Sequence, residues 1–282
     1  MGIINDNKES AARVRLWRHT IGITNRALST SGPDPLGTGL SATEEEKVGT
    51  GVAIVWGDCH FILTAKHVLD EANVSDLSFF VGQTGDLKTQ RASEVTMQDA
   101  VVPVPLNDPE AVIHRCDWED LAVLTITPDA FGPMLEFFDI GGSSIDPQEG
   151  ETVAGVAYPV SNSVILDGGR IGSVIQRTVV LSPTPFGGAV LPSATGKYLG
   201  KFEPDRHYLI PYEPAKEGKH PRGISGAALW VESDEERIVW APRFKFAGIC
   251  TVCYGDGGLI EQIVRASVVR EFLLEAFGSP EK

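Results

Sequence analysis

The stretch Pro221-Arg222-Gly223-Ile224-Ser225-Gly226-Ala227-Ala228-Leu229-Trp230 sets a serine among glycines and then opens an apolar run. Gly-x-Ser-Gly alone is common in loops. It gains weight from two runs upstream. Phe61-Ile62-Leu63-Thr64-Ala65-Lys66-His67-Val68 is an apolar run closing on a histidine, and Asp120-Leu121-Ala122-Val123-Leu124 opens on an acid. The chain order is His, Asp, Ser. A nucleophilic serine needs a base to accept its proton. The base needs an acid to fix its tautomer and stabilise the imidazolium that forms. Asp117 and Glu119 flank Trp118 just before Asp120, and nothing in their own chemistry sets them aside.

Working outward, the chain has 282 residues, 42% of them hydrophobic, which suffices for one large or two small domains with real cores. Its 30 Gly and 18 Pro, among many short apolar runs, favour an all-β chain rich in turns. Val52–Trp56 and Phe61–Ala65 read as a hairpin turning at Gly57-Asp58, apolar on both faces as in a small closed barrel. His67 then falls where a strand ends. Further strands are expected at Leu77–Val81, Glu94–Met97, Leu121–Ile126, Val153–Val160, Arg170–Leu181, Tyr208–Tyr212, Ala227–Val231, Phe246–Tyr254 and Leu259–Arg265. Residues 183–206 read as a long excursion. Helical spacing of Val268, Val269, Phe272, Leu273 and Ala276 predicts a terminal helix, with Ser267 as N-cap and Gly278 past its end.

These signals divide the chain into an N-terminal arm and loop (1–48), a first β unit carrying His67 and Asp120 (49–140), a second carrying Ser225 (141–266), and a helix with its tail (267–282). The connection around 128–147 is marked by Gly132-Pro133 and Gly141-Gly142.

A net charge of −14 argues against nucleic-acid binding, which needs a basic face. The first ten residues lack the basic start and apolar core of a signal peptide, and no apolar stretch is long enough to span a membrane. A cytoplasmic location is the expectation, or a mature form whose leader has been removed. Cys250-Thr251-Val252-Cys253 has metal-like spacing, but residues three apart on a strand face opposite ways, so two separate thiols are the reading. No metal or cofactor is expected.

Taken together, the three motifs resemble those of the trypsin-like, chymotrypsin-fold serine peptidases, of the bacterial type without disulfides. Thr64-Ala65-Lys66-His67-Val68 is similar to the family's Thr-Ala-x-His motif. Asp120-Leu121-Ala122-Val123-Leu124 resembles its Asp-Leu/Ile-Ala-Leu/Val motif, which favours Asp120 over its neighbours. Gly223-Ile224-Ser225-Gly226-Ala227 resembles its Gly-x-Ser-Gly-Gly motif. The order His, Asp, Ser is that of this fold, whereas α/β-hydrolases run Ser, Asp, His and subtilisins Asp, His, Ser.

The resemblance spans roughly Gly49 to Phe277. It implies two packed six-stranded antiparallel β-barrels with a C-terminal helix and a site in the cleft between them. It implies peptide-bond hydrolysis through an acyl-enzyme, with Ser225 as nucleophile, His67 as base then acid, Asp120 orienting His67, and the Gly223 and Ser225 N–H groups as oxyanion hole. The partner would be a protein or peptide substrate. By the same resemblance, the primary pocket involves residues just before the serine and the strand around Phe246–Thr251, so Lys219, His220, Gly248 and Thr251 are candidates. Lys219, His220 and Arg222 would suit an acidic side chain at the cleaved position, or else be surface charges on a loop.

Two departures stand out. Ala227 replaces a usual Gly, so its methyl either presses on the His67 loop or is absorbed. Ile224 replaces the Asp with which animal trypsins bind a newly cut N-terminus, so control by an activating protein partner or the N-terminal arm is the alternative. A catalytically inactive, peptide-binding relative of the same fold is the other reading.

Overall fold

A computed structural model describes residues 16, 18–25, 47–70, 72–81, 104–106, 108–132, 135–148, 151–157, 163–166, 173–176, 179–185, 202–211, 223–233, 243–254 and 260–280. The hairpin read around Gly57-Asp58 is present. It joins β2 (Lys47–Trp56) to β3 (Cys59–Thr64), paired from Gly51↔Thr64 to Trp56↔Cys59. The first sheet runs β5 (Val104–Pro105), β4 (Leu77–Phe80), β1 (Thr20–Asn25), β2, β3, β7 (Ala122–Ile126) and β6 (Val112–Arg115) in antiparallel order. A short parallel strand, β8 (Phe138–Asp139), joins β2.

The second sheet has six antiparallel strands, ordered β12 (Val179–Pro185), β9 (Thr152–Ala157), β14 (Ala228–Ser233), β15 (Arg243–Tyr254), β16 (Ile260–Arg265) and β13 (His207–Pro211). β10 (Ser163–Leu166) and β11 (Ser173–Gln176) pair apart from it. Helix α1 (Ala266–Phe277) follows β16. The fold is thus of the expected all-β class with a C-terminal helix; where two six-stranded antiparallel barrels were expected, the described residues form two packed, mainly antiparallel sheets of eight and six strands.

Period-two alternation explains how the sheets pack. Val52, Ile54 and Trp56 of β2, Phe61 and Leu63 of β3, and Val123 of β7 face a core shared with the second sheet and α1. There they meet Ala154, Val156, Trp230, Phe246, Val268 and Phe272. The intervening residues Ala53, Ile62 and Leu124 face the first sheet's own core with Ile21, Ile23 and Phe79. Val153, Leu229 and Val231 point the other way, into the second sheet's core. Every central strand is apolar on both faces because both faces are covered.

Three expectations change. Residues 20–25 belong to the first sheet and not to an arm: β1 pairs with both β2 and β4, and Ile21 and Ile23 are fully buried. The Thr-Ile-Gly-Ile-Thr alternation carried that signal within a polar neighbourhood. Arg170–Leu181 is not one strand but parts of β11 and β12. Ser267 does not cap α1. The helix starts at Ala266, and the Ser267 hydroxyl instead donates to Asp146 at 2.8 Å. Gly278 does end the helix, and its carbonyl receives the Trp56 indole N–H at 2.8 Å. The strand expected at Glu94–Met97 lies outside the described residues.

Candidate active site

Antiparallel pairing brings the histidine to the acid. β3 and β7 are neighbours, and Thr64 at the end of one lies opposite Ala122 at the start of the other. His67 follows β3 on a single 3-10 turn, Lys66–Val68, whose Val68 is buried as its anchor. The Lys66 N–H donates to the Asp120 carbonyl at 3.2 Å, and the Lys66 ammonium to the Cys116 carbonyl at 2.8 Å. With both turns tied, Asp120 grips His67 twice. One carboxylate oxygen accepts the ring Nδ1–H at 2.8 Å and the other accepts the His67 backbone N–H at 3.0 Å. A proton held on Nδ1 leaves the lone pair on Nε2. Asp117 is exposed and makes no such contact, and Glu119 is engaged elsewhere.

Ser225 sits in the turn before β14. Its carbonyl accepts the Thr50 N–H at 2.7 Å, and the Thr50 hydroxyl donates to the Gly223 carbonyl at 2.7 Å. Thr50 is itself fixed, because its carbonyl accepts the Thr64 hydroxyl at 2.6 Å. A methyl added to Gly49 would fall 2.5 Å from Val68 and 3.1 Å from the Ser225 carbonyl oxygen. The start of β2 therefore touches both the histidine turn and the serine turn. On its other side the serine turn is held by β15, where the Cys250 carbonyl accepts the Gly226 N–H at 2.7 Å. β15 carries an extra residue, Thr251, between Cys250 and Val252 in its pairing with β16. This bulge aims the Thr251 carbonyl at Ser225, whose hydroxyl donates to it at 3.5 Å, a long contact. The Gly223 and Ser225 N–H groups meet no acceptor among the described residues.

Residues 49–200 match the family model for trypsin-like peptidase domains. The chain belongs to the trypsin-like peptidases. The matched stretch contains His67 and Asp120 and ends before Ser225. Among solved structures the chain is similar to the MamO protease domain of Magnetospirillum magneticum, at 14% identity and TM-score 0.45, over 92% of this chain and 97% of that one. It is also similar to an inactive form of the Rv3671c protease, at 17% identity and TM-score 0.47, over 98% and 96%. Human heparin binding protein aligns at 12% identity and TM-score 0.47, over 93% and 92%. No curated protein sequence matches the chain.

Within this trypsin-like peptidase, the Ala227 methyl is absorbed. It is buried in the second sheet's core with Ile224, Leu229 and Cys250, away from the His67 turn. Of the pocket candidates, Gly248 and Thr251 are buried on β15 beside the serine turn. Lys219, His220 and Arg222 lie outside the described residues.

Sequence reasoning passed over two groups. Thr50 and Thr64 clamp the serine turn. Only Thr64, as the first residue of the histidine motif, carried a signal. The second group surrounds Glu119. Its carboxylate accepts the His207 Nε2–H at 3.0 Å, the Arg206 Nε–H at 3.3 Å and the Asp120 N–H at 3.0 Å. Burial alone would raise the Glu119 pKa, but the His207 and Asp120 hydrogen bonds and the Arg206 charge together hold it below the ordinary value. A carboxylate depressed in the fold stabilises the fold above its unfolded pKa, and that stability is lost as pH falls through the folded pKa. The denaturation midpoints of wild type and Glu119→Gln should therefore differ most near neutrality. The gap should close as acid protonates Glu119, which a urea series from about pH 7 to about pH 3 would read. A gap independent of pH would assign the loss to packing.

Proposed function

We propose that the protein is a serine endopeptidase working through His67, Asp120 and Ser225. The double grip of Asp120 on His67 carries this reading, because it does what a base-orienting acid must do: it fixes the tautomer and the ring position. On this reading the Ser225 hydroxyl swings from the Thr251 carbonyl to His67 Nε2 and attacks a peptide carbonyl carbon as His67 takes its proton. The carbonyl oxygen becomes an oxyanion and accepts the two free N–H groups of Gly223 and Ser225. Collapse expels the amine, which takes the proton from His67, and leaves Ser225 acylated. Water, deprotonated by the same imidazole, then releases the acid and restores the serine. Gly248 and Thr251 are the candidates for the primary pocket, and the charges of Lys219, His220 and Arg222, which closely precede Ser225 in sequence, suit acidic side chains at the cleaved position. Cleavage after lysine, arginine or large apolar residues in a peptide library would remove that last element.

A second reading has its own observation. Ser225 bonds the Thr251 carbonyl and not His67, which is the arrangement of a resting or silent nucleophile. The cleft would then hold peptides without cutting them, or wait for an activating protein. A fluorophosphonate probe separates these. Labelling of the wild type and not of Ser225→Ala establishes an activated serine. No labelling of either supports the silent cleft, and labelling that begins only when a partner is added supports control by that partner.

A further inference from the structure

The loop that carries the acid, residues 116–120, leaves the first sheet and is held from both sides, by Lys66 and His67 of the first unit and by side chains of the second half of the molecule. Trp118 donates its indole N–H to Glu275 of α1 at 2.9 Å, and the Arg206 guanidinium stacks over the Trp118 ring at 4.2 Å. Glu119 reaches Arg206 and His207, at the start of β13, with only 10% of its side chain exposed. His207 is deeper still, at 3%. Its Nδ1 accepts the Glu203 N–H at 3.0 Å, so the ring proton sits on Nε2 and points at Glu119.

We propose that Glu119 is a positioning residue: it fixes the Asp120 backbone and transmits the placement of the second sheet to the His67–Asp120 pair. This deepens the triad reading and rests on it. The link is short. One Glu119 oxygen faces His207 and Arg206, and the other accepts the Asp120 N–H. The Asp120 carbonyl in turn holds the Lys66 N–H, one residue before His67. Three donors converge on one carboxylate, and a glutamine cannot serve them all. Its single oxygen can face His207 and Arg206 or the Asp120 N–H, and its NH2 then meets a donor on the other side. His207 cannot relieve this by moving its proton, because Nδ1 faces the Glu203 N–H. Exposure of the acid loop to both halves makes the alignment of the triad conditional on how the halves sit.

The test uses the full chain with 15N-labelled histidine. Ring 15N shifts of His67, assigned with His67→Gln, report how firmly Nδ1 holds its proton against Asp120 whether or not the protein cuts peptides. Asp120→Asn sets the limit of complete loss. In Glu119→Gln the shifts are expected to move toward that limit. The fluorophosphonate labelling rate should fall about tenfold, the equivalent of 1.4 kcal/mol. Arg206→Met, at a position 26% exposed, should fold and move both readouts the same way by less. If the glutamine variant does not fold, the methionine variant decides alone. Lower melting temperatures with wild-type His67 shifts would overturn the proposal, since Glu119 would then be a structural anchor only. If the wild type does not label, the triad reading fails on that result, while the 15N shifts still decide the Glu119 link.

Discussion

Gly226→Ala should cost the protein much of its stability. The added methyl would sit 1.8 Å from the Thr50 carbonyl oxygen, 2.2 Å from the Thr64 hydroxyl and 2.9 Å from the Thr50 carbonyl carbon. None of these is the far end of a flexible chain. Thr50 is a strand residue fixed at its N–H by Ser225 and at its carbonyl by Thr64. Gly226 also has φ +88°, where a side chain is strained even in open space. Backbone strain and overlap with fixed backbone add, and we expect a loss on the order of 4 kcal/mol or more, against roughly 5–15 kcal/mol for a typical domain. Ala227→Gly is the control one residue on. It trims a methyl from a buried cluster and should cost only about 1 kcal/mol. Urea midpoints of the two variants would show the contrast. A Gly226→Ala protein that melts like the wild type would mean that the serine turn and β2 do not meet as described.

The second large effect is on chemistry. Asp120→Asn should melt close to the wild type, because the side chain is 28% exposed at the cleft and shape is kept. On the proposed triad, the rate of serine labelling should nevertheless fall about 10⁴-fold, the scale set by tautomer loss in a triad. The carboxylate accepts two N–H donors from the same histidine. The asparagine has one oxygen. If that oxygen faces Nδ1, the amide NH2 opposes the His67 backbone N–H. If the amide turns over, its NH2 donates to Nδ1, the ring proton moves to Nε2, and the lone pair that should take the serine proton is gone. Fluorophosphonate labelling rates of the two proteins measure this directly. Equal rates would remove Asp120 from the mechanism.

Much of this arrangement was legible in the chain. The apolar runs Val52–Trp56 and Phe61–Ala65 on either side of Gly57-Asp58 gave the central hairpin, and the terminal apolar spacing gave α1. The histidine and acid motifs named His67 and Asp120, which the structure joins by two hydrogen bonds. What could not be read was whatever depends on partners distant in sequence. β1 contributes two buried isoleucines in six residues, too short a run to stand out from polar surroundings. The bulge at Thr251 is set by the pairing of β15 with β16 and leaves no mark in the local sequence. Asp120 could be told from Glu119 only by family motif. Chemistry alone gives both the same carboxylate, and it is the neighbouring His67 or His207 that assigns them different work.

The Thr50 clamp bears on the order in which the protein is made. Its hydroxyl and the Gly223 carbonyl are 173 residues apart in the chain. A ribosome that has delivered His67 and Asp120 has still to deliver the serine, and the serine turn takes its shape only against a strand laid down long before and another, β15, that emerges after it. His67 and Asp120 can thus be in place on the nascent chain before the turn that carries Ser225 has formed. Synthesis from the N-terminus therefore keeps the proposed site unassembled until β15 has left the ribosome.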